Sequence, residues 1–361
     1  MNLLIDALYC PQRLRQLRPE QWDILIRQAR RGDLLARMSA AAHDTGCWGS
    51  IPAQVQMHLQ SALNLAIRQQ QELRWEVDHI ADALKDVDVP VVLLKGAAYV
   101  LARSAVARGR LVSDVDILVS RAALPAVEKA LMMGGWVSNA KSAYDQVYYR
   151  EWMHELPPMQ HFKRGTTIDV HHAILPLSAR LHPSTDKLLK ATVLIAPNRQ
   201  VHVLSPLDRV LHSASHLFHE GDLEKGLHGL VDIDLLLRES SAAPDFWLQL
   251  IGRAIELELT RPLFYALRYA RMVLDSPIPS ATVSQLDAAP HARPSPPLLL
   301  LMDALYLRAL RPPHPTLSDR WTPFARWLLY VRGHWLRMPP WLLIQHLSRK
   351  IWLAWFPDKK D

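Results

Sequence analysis

The chain reads as an α+β protein, a small α/β unit held between helical segments, and three observations carry that reading. Residues 1–86 and the stretch from Ser205 onward show helical periodicity. At Pro90 the period shortens to apolar, β-branched runs. Over roughly residues 90–175 those runs alternate with helical stretches. With 361 residues, the chain is long enough for two or three structural units. The expected organisation is a helical region over 1–86, an α/β core over 87–175, a second helical region over 176–310 with a Pro-rich loop at 276–297, and a basic, Trp-rich amphipathic tail over 311–361.

Taken in order, "PEQWDILIRQARRGDLLARMSAAAHDTG" is helical and closes on a glycine. "QVQMHLQSALNLAIRQQQELRWEVDHIADALKDV" is a long helix without Pro or Gly, and Leu73, Val77, Ile80 and Leu84 form one apolar stripe along it. "VPVVLLKG" is a strand stopped by a glycine, "AAYVLARSAVARG" a helix ending at Gly109, and "VSDVDILV" the next strand. "LPAVEKALMMGG" is a helix with Pro125 near its start and Gly134 as C-cap. "YDQVYYRE", "PPMQHFKRG" and "TTIDVHHAI" read as strands. Helices resume with "SPLDRVLHSASHLFHEGDLEKGLHGLVDIDLLLRES" and "TRPLFYALRYARMVL", and "DSPIPSATVSQLDAAPHARPSPP" reads as a loop.

Composition excludes several classes. Two cysteines, Cys10 and Cys47, cannot frame a disulfide-rich fold and lack metal-ligand spacing. "MNLLIDALYCPQRLRQ" lacks the order of a signal peptide, and no apolar run approaches a membrane span. The expected location is the cytoplasm. The net charge of +7 is uneven: residues 306–361 hold ten Lys or Arg against three Asp or Glu, and six of the twelve tryptophans. Such a segment suits docking on its own protein first, an anionic membrane surface second and nucleic acid least. Ile344, Leu347, Ile351 and Trp355 make an apolar stripe on a helix that Pro339 and Pro340 would start, so peripheral membrane contact through 335–356 is the functional alternative to docking.

The chemistry concentrates in "LVSDVDILVS", residues 111–120, where two aspartates interrupt a buried strand. Alternation puts Val115, Ile117 and Val119 on one face and Asp114 with Asp116 on the other. Carboxylates so placed can share a divalent cation. "TTIDVHH" repeats the device, with Ile168 and Val170 opposed to Asp169 and His171. If the two strands are neighbours, three carboxylates converge, the basis of a two-metal phosphoryl-transfer site. The structural alternatives are Asp114 capping the turn into its strand, and Asp169 paired with Arg110 or Lys163. "LLKGAA" supplies a glycine turn, a helix start suited to an anion, and Lys95 for phosphate charge.

In this order, "LLKGAA", "GRLVSDVDILV", a helix and "IDVHH" resemble the nucleotidyltransferase superfamily with a DNA polymerase β-like palm. They are most similar to its bacterial group of uncharacterised nucleotidyltransferases, whose pattern runs LKG, then R-x-x-x-D-x-D, then an acidic residue, an apolar one and His on a strand. The core resemblance covers about residues 90–175, with weaker similarity through "HSASHLFH", "VDIDLLL" and "YVRGHWLRMPPWLL". It implies a small mixed-sheet palm, an NTP such as ATP as donor, and transfer of its monophosphate to an acceptor hydroxyl. The acceptor is left open among small molecules, sugars, peptides and proteins. It implies Asp114, Asp116 and Asp169 as catalytic ligands of Mg²⁺ or Mn²⁺, and Lys95, Gly96, Arg110 and Ser113 as the nucleotide-binding set. Where the superfamily has Ser or a second Gly after the turn glycine, this chain has Ala97.

Histidines 212, 216 and 219 share one helix face, either as polar packing or as metal ligands. His216 and Asp232 match the group's recurrent positions and would close the cleft from the helical side. His171 would contact substrate, with His172 facing the core, while His154 and His161 receive no place. Two other functions stay in view: a degenerate nucleotidyltransferase fold serving as a binding module, and a glycosyltransferase using Asp-x-Asp.

Overall fold

A computed structural model of the chain describes residues 2–139, 146, 148–219, 221, 223–339 and 341. It opens with four helices, α1 Asn2–Tyr9, α2 Pro19–Arg31, α3 Leu35–Asp44 and α4 Ala53–Leu84. The single helical stretch read from Pro19 to Gly46 is two helices. Asp33 takes a left-handed φ of 54°, and the Leu34 amide turns back onto the Ala29 carbonyl at 2.8 Å, which ends α2. The expected stripe on α4 is buried at Leu73, Val77, Ile80 and Leu84.

Among the described residues seven strands form one mixed sheet: β1 Val91–Leu93, β2 Asp114–Leu118, β3 Trp136–Ser138, β4 Met159–His161, β5 Thr167–His171, β6 Val193–Ala196 and β7 Val201–Val203. Their spatial order is β3-β4-β5-β2-β1-β7-β6. β2 runs parallel to β5 and β1 parallel to β7, and the other neighbours are antiparallel. Helices α5 Lys95–Leu101 and α6 Leu124–Met133 connect the early strands.

The structure departs from the sequence reading elsewhere too: the helix expected to run to Gly109 ends at Leu101, and a separate 3-10 turn spans Ala105–Ala107. β3, β6 and β7 have three or four residues each, too few to show a period, and the last two carry the sheet past residue 175 into the region expected to be helical. Part of "YDQVYYRE" lies outside the described residues, and Tyr148–Trp152 is a π-helical turn rather than a strand. The Pro-rich stretch 276–297 contains a helix over Ser280–Ala288, which begins directly after Pro279 and holds no proline of its own.

Beyond α7 Thr185–Lys190, the helices are α8 Pro206–His219, α9 Gly226–Ser240, α10 Phe246–Glu256, α11 Thr260–Leu274, α12 Ser280–Ala288, α13 Pro296–Ala309 and α14 Thr322–Arg337. One hydrophobic cluster runs from Leu4 through the sheet to Leu329, so the helical segments on both sides share a core with the strands. α14 docks through Thr322, Ala325, Leu329 and Gly333. The approach is close at Gly221, whose φ is +83° and where a Cβ would come within 2.8 Å of the Leu329 carbonyl oxygen. Trp321, Trp327 and Trp335 remain 52%, 56% and 45% exposed. The stripe Ile344, Leu347, Ile351 and Trp355 lies outside the described residues. Among the described residues no helix is long and apolar enough to cross a membrane.

Candidate active site

The neighbouring of β2 and β5 settles how the aspartates meet. In their parallel ladder Asp114 stands beside Thr167, Asp116 beside Asp169 and Leu118 beside His171. Register partners in a sheet project to the same face, so Asp116 and Asp169 stand side by side. Asp114, at the exposed start of β2, follows two residues earlier on that face. Asp116 is itself buried and Asp169 half-buried, while Asp114 is exposed: the aspartate floor is covered at one end and open at the other.

Asp116 is well partnered. The Lys95 ammonium lies 3.7 Å from its Oδ1, and His171 Nε2 lies 2.9 Å from the same oxygen. A carboxylate only accepts, so Nε2 is the donor. Burial alone would raise the Asp116 carboxyl, but Lys95 and His171 outweigh it and hold it well below the ordinary range. Asp169 is the opposite case. Burial, then the like charges of Asp116 and Glu155, push it up to about 7. Its Oδ1 is buried and has no hydrogen-bond partner among the described residues. Asp169 therefore pairs with neither Arg110 nor Lys163.

A cleft of about 400 Å³ opens beside this floor. Lys95, Gly96, Arg110, Ser113, Asp114, Asp116, His216 and Asp232 all line it, so eight of the ten residues singled out from sequence share one cavity. Lys95 takes a left-handed φ of 43° at the turn between β1 and α5. Gly96 gives Arg110 close approach: a Cβ there would sit 2.6 Å from Arg110 Nη1 and 3.0 Å from Val112 Cγ1, so the guanidinium would have to shift. Ala97 is buried, 1% exposed.

Three residues expected to contact nucleotide or substrate have partners inside the chain. The Arg110 guanidinium, proposed for phosphate, donates from Nε to Asp232 Oδ2 at 2.9 Å and from Nη1 to the Leu111 carbonyl at 3.2 Å, and lies over the Tyr99 ring. Asp232, proposed for substrate, also accepts from Arg37 and has His228 Nε2 at 3.7 Å. Burial would raise Asp232, yet Arg110, His228 and Arg37 hold it low. This is a closed ion cluster in the cleft wall. His171, expected to face substrate, is 4% exposed and sits between Asp116 and Glu155, with Nδ1 3.4 Å from Glu155 Oε2. Burial would lower its pKa, but its bond to Asp116 and the charges of Asp116 and Glu155 raise it. His172 is buried as expected. His212 and His219 are buried in α8 while His216 reaches the cleft, so the row on that helix face divides between core and cavity.

Sequence reasoning missed several lining residues: Tyr99, bonded to Ser213 at 2.7 Å, and Lys225 and His228 on the α9 side. The spacing of Lys225, His228 and Asp232 marks a polar helix face in the sequence, but not what it faces. It also missed His154 and Glu155, which backbone pairing brings against the end of β5: Glu155 bridges His171, and the His172 amide donates to the His154 carbonyl at 2.8 Å.

Paired acidic strands beside a Lys–Gly turn, on a mixed sheet walled by helices, are the arrangement expected of a nucleotidyltransferase. Residues 18–275 match the family model described as an uncharacterised nucleotidyltransferase, and the chain belongs to that family. No curated protein matches the chain.

Proposed function

We propose that the chain transfers a nucleoside monophosphate from an NTP to an acceptor hydroxyl, with Mg²⁺ or Mn²⁺ held by Asp114, Asp116 and Asp169. The observation that carries this is Asp169: a buried, unpartnered carboxylate oxygen facing a second carboxylate. Such an arrangement is costly unless a cation completes it, and an all-oxygen set suits a hard divalent ion. The bound cation would neutralise triphosphate charge and lower the pKa of the acceptor hydroxyl.

The chain's own groups do the rest. Lys95 reaches over the cleft side of Asp116 to offset phosphate charge, and Ser113 and the backbone around Gly96 line the path of the triphosphate. Arg110, engaged by Asp232, braces the wall that closes on the nucleotide. Asp169, beside that cation, is the group suited to take the acceptor proton. The exposed tryptophans of α14 support peripheral contact with an anionic membrane, which co-sedimentation with anionic vesicles tests.

Thermal unfolding with each NTP, with and without Mg²⁺ or Mn²⁺, tests the site. A ligand that binds only the native state at ~100 times its Kd adds about 2.7 kcal/mol. The expected result is a cation-dependent shift by a nucleotide that an Asp114→Asn/Asp116→Asn variant lacks. No shift with any nucleotide, and a variant as stable as wild type, defeats the proposal. A second reading, a module that binds nucleotide without turnover, is favoured by Ala97, which stands after the turn glycine where the superfamily has Ser or a second Gly. A nucleotide shift with no pyrophosphate released in the presence of any acceptor class would select it.

A further inference from the structure

A second group of ligating side chains adjoins the aspartates at the end of β5, among residues that do not line the cleft. We infer that His154, Glu155 and His171 form a separate transition-metal site of the zinc class, joined to Asp116 through the His171 ring. One ligand atom from each of the three lies within 4.8 Å of the others.

Four observations carry the assignment. First, His154 is 8% exposed, and its buried Nδ1 has no hydrogen-bond partner among the described residues. A buried imidazole nitrogen left unmatched costs stability unless something outside the chain takes it up. Second, His171 has one nitrogen to offer. Nε2 donates to Asp116 Oδ1, which leaves Nδ1 on the side of Glu155. Third, Nδ1 stands 3.4 Å from Glu155 Oε2, long for a charge-assisted hydrogen bond but close to the ~3.3 Å edge of a tetrahedron with ligands at about 2.0–2.1 Å. Fourth, the backbone holds the set together, since Glu155 bridges His171 and the Leu156 amide donates to the Val170 carbonyl at 2.8 Å.

The donor set separates this site from the aspartates. Two imidazoles and a carboxylate favour zinc and its neighbours, whereas Asp114, Asp116 and Asp169 offer oxygen alone, which suits magnesium. A metal on Nδ1 fixes the tautomer of His171 with its proton on Nε2, and so fixes the donor to Asp116. It is the mirror of the carboxylate–histidine–metal arrangement in which an outer carboxylate orients a ligating ring. Here the ring would orient a carboxylate that has its own task. The site stands whether or not the chain transfers nucleotides.

The test is a titration of the full-length, metal-stripped protein with Co²⁺ alone, followed by visible absorption, in excess Mg²⁺. The expected result is one equivalent of Co²⁺ with ligand-field bands in the visible, displaced by Zn²⁺. His154→Gln and Glu155→Gln should each weaken Co²⁺ binding by about 100-fold or more, beyond the 10–100-fold of an outer-shell change, while Asp114→Asn keeps the spectrum. A wild-type protein that gives no bands at several equivalents overturns the inference, with no variant needed. So does a spectrum that survives in both His154→Gln and Glu155→Gln but disappears in Asp114→Asn, which would put the ion on the aspartates.

Discussion

Asp232 on α9 and Asp169 on β5 are both carboxylates withdrawn from water, but their surroundings differ in kind. Asp232 accepts from Arg37 and Arg110 and has His228 within 3.7 Å, so its charge is matched inside the chain. Asp169 has an unpartnered Oδ1 and two like charges, Asp116 and Glu155, for neighbours. A buried carboxylate already held by guanidinium groups is a brace: removing it strands the partners. One with an oxygen left unmatched and pressed by other acids is where the proposed cation would fit. Both occur in the same fold, and what tells them apart is the partners each carboxylate has.

That contrast can be broken by substitution. The largest effect should be on turnover: Asp169→Asn lowers nucleotidyl transfer by about 10³-fold or more, roughly 4 kcal/mol of barrier, while its melting temperature without cations stays level or rises. A clear fall in stability there would mean that Asp169 is a brace as well. Asp232→Ala should do the reverse and destabilise by about 3–5 kcal/mol in urea titrations, because Arg37 and Arg110 lose a shared buried partner. If it unfolds no more readily than wild type, the cluster is not structural.

The brace should also report on pH. Burial first, with help from Arg110 and Arg37, pushes His228 down to about 4 against the pull of Asp232. The unfolded chain binds this proton more readily than the native state, so the stability is complete above about pH 6.5 and is lost as pH falls towards about 4. His228→Gln should flatten the wild-type loss by on the order of 2 kcal/mol between about pH 6.5 and 5, read from urea midpoints at each pH. Unchanged slopes would place the proton uptake elsewhere. The smallest effect expected is from Gly96→Ala. Its Cβ would press on Arg110 Nη1 and Val112, costing about 1–3 kcal/mol as overpacking and loosening NTP binding through the cleft wall. A neutral result would show that Arg110 has room to yield.

Much of the candidate site was legible before any fold was known. The two-residue alternation in "VSDVDILV" and "TIDVHH" separates core residues from acidic ones, and the change of period at Pro90 locates the strands that carry them. β3, β6 and β7 were not legible, because runs of three or four residues carry no period of their own. Nor was the environment of Arg110. Its partner Asp232 lies 122 positions away, and nothing local marks a residue as already engaged.

The sequence by itself determined the α+β character, the acidic floor, the Lys–Gly turn and the family resemblance, because each is written in local spacing and residue type. Tertiary structure alone decided that β2 lies beside β5 with Asp116 at Asp169, that Arg110 and Asp232 close on each other, and that His154 and Glu155 meet His171. Those pairings depend on which distant segments share the core. The free energy of that choice comes from burying whole faces of helix and sheet, and no short stretch of sequence contains it.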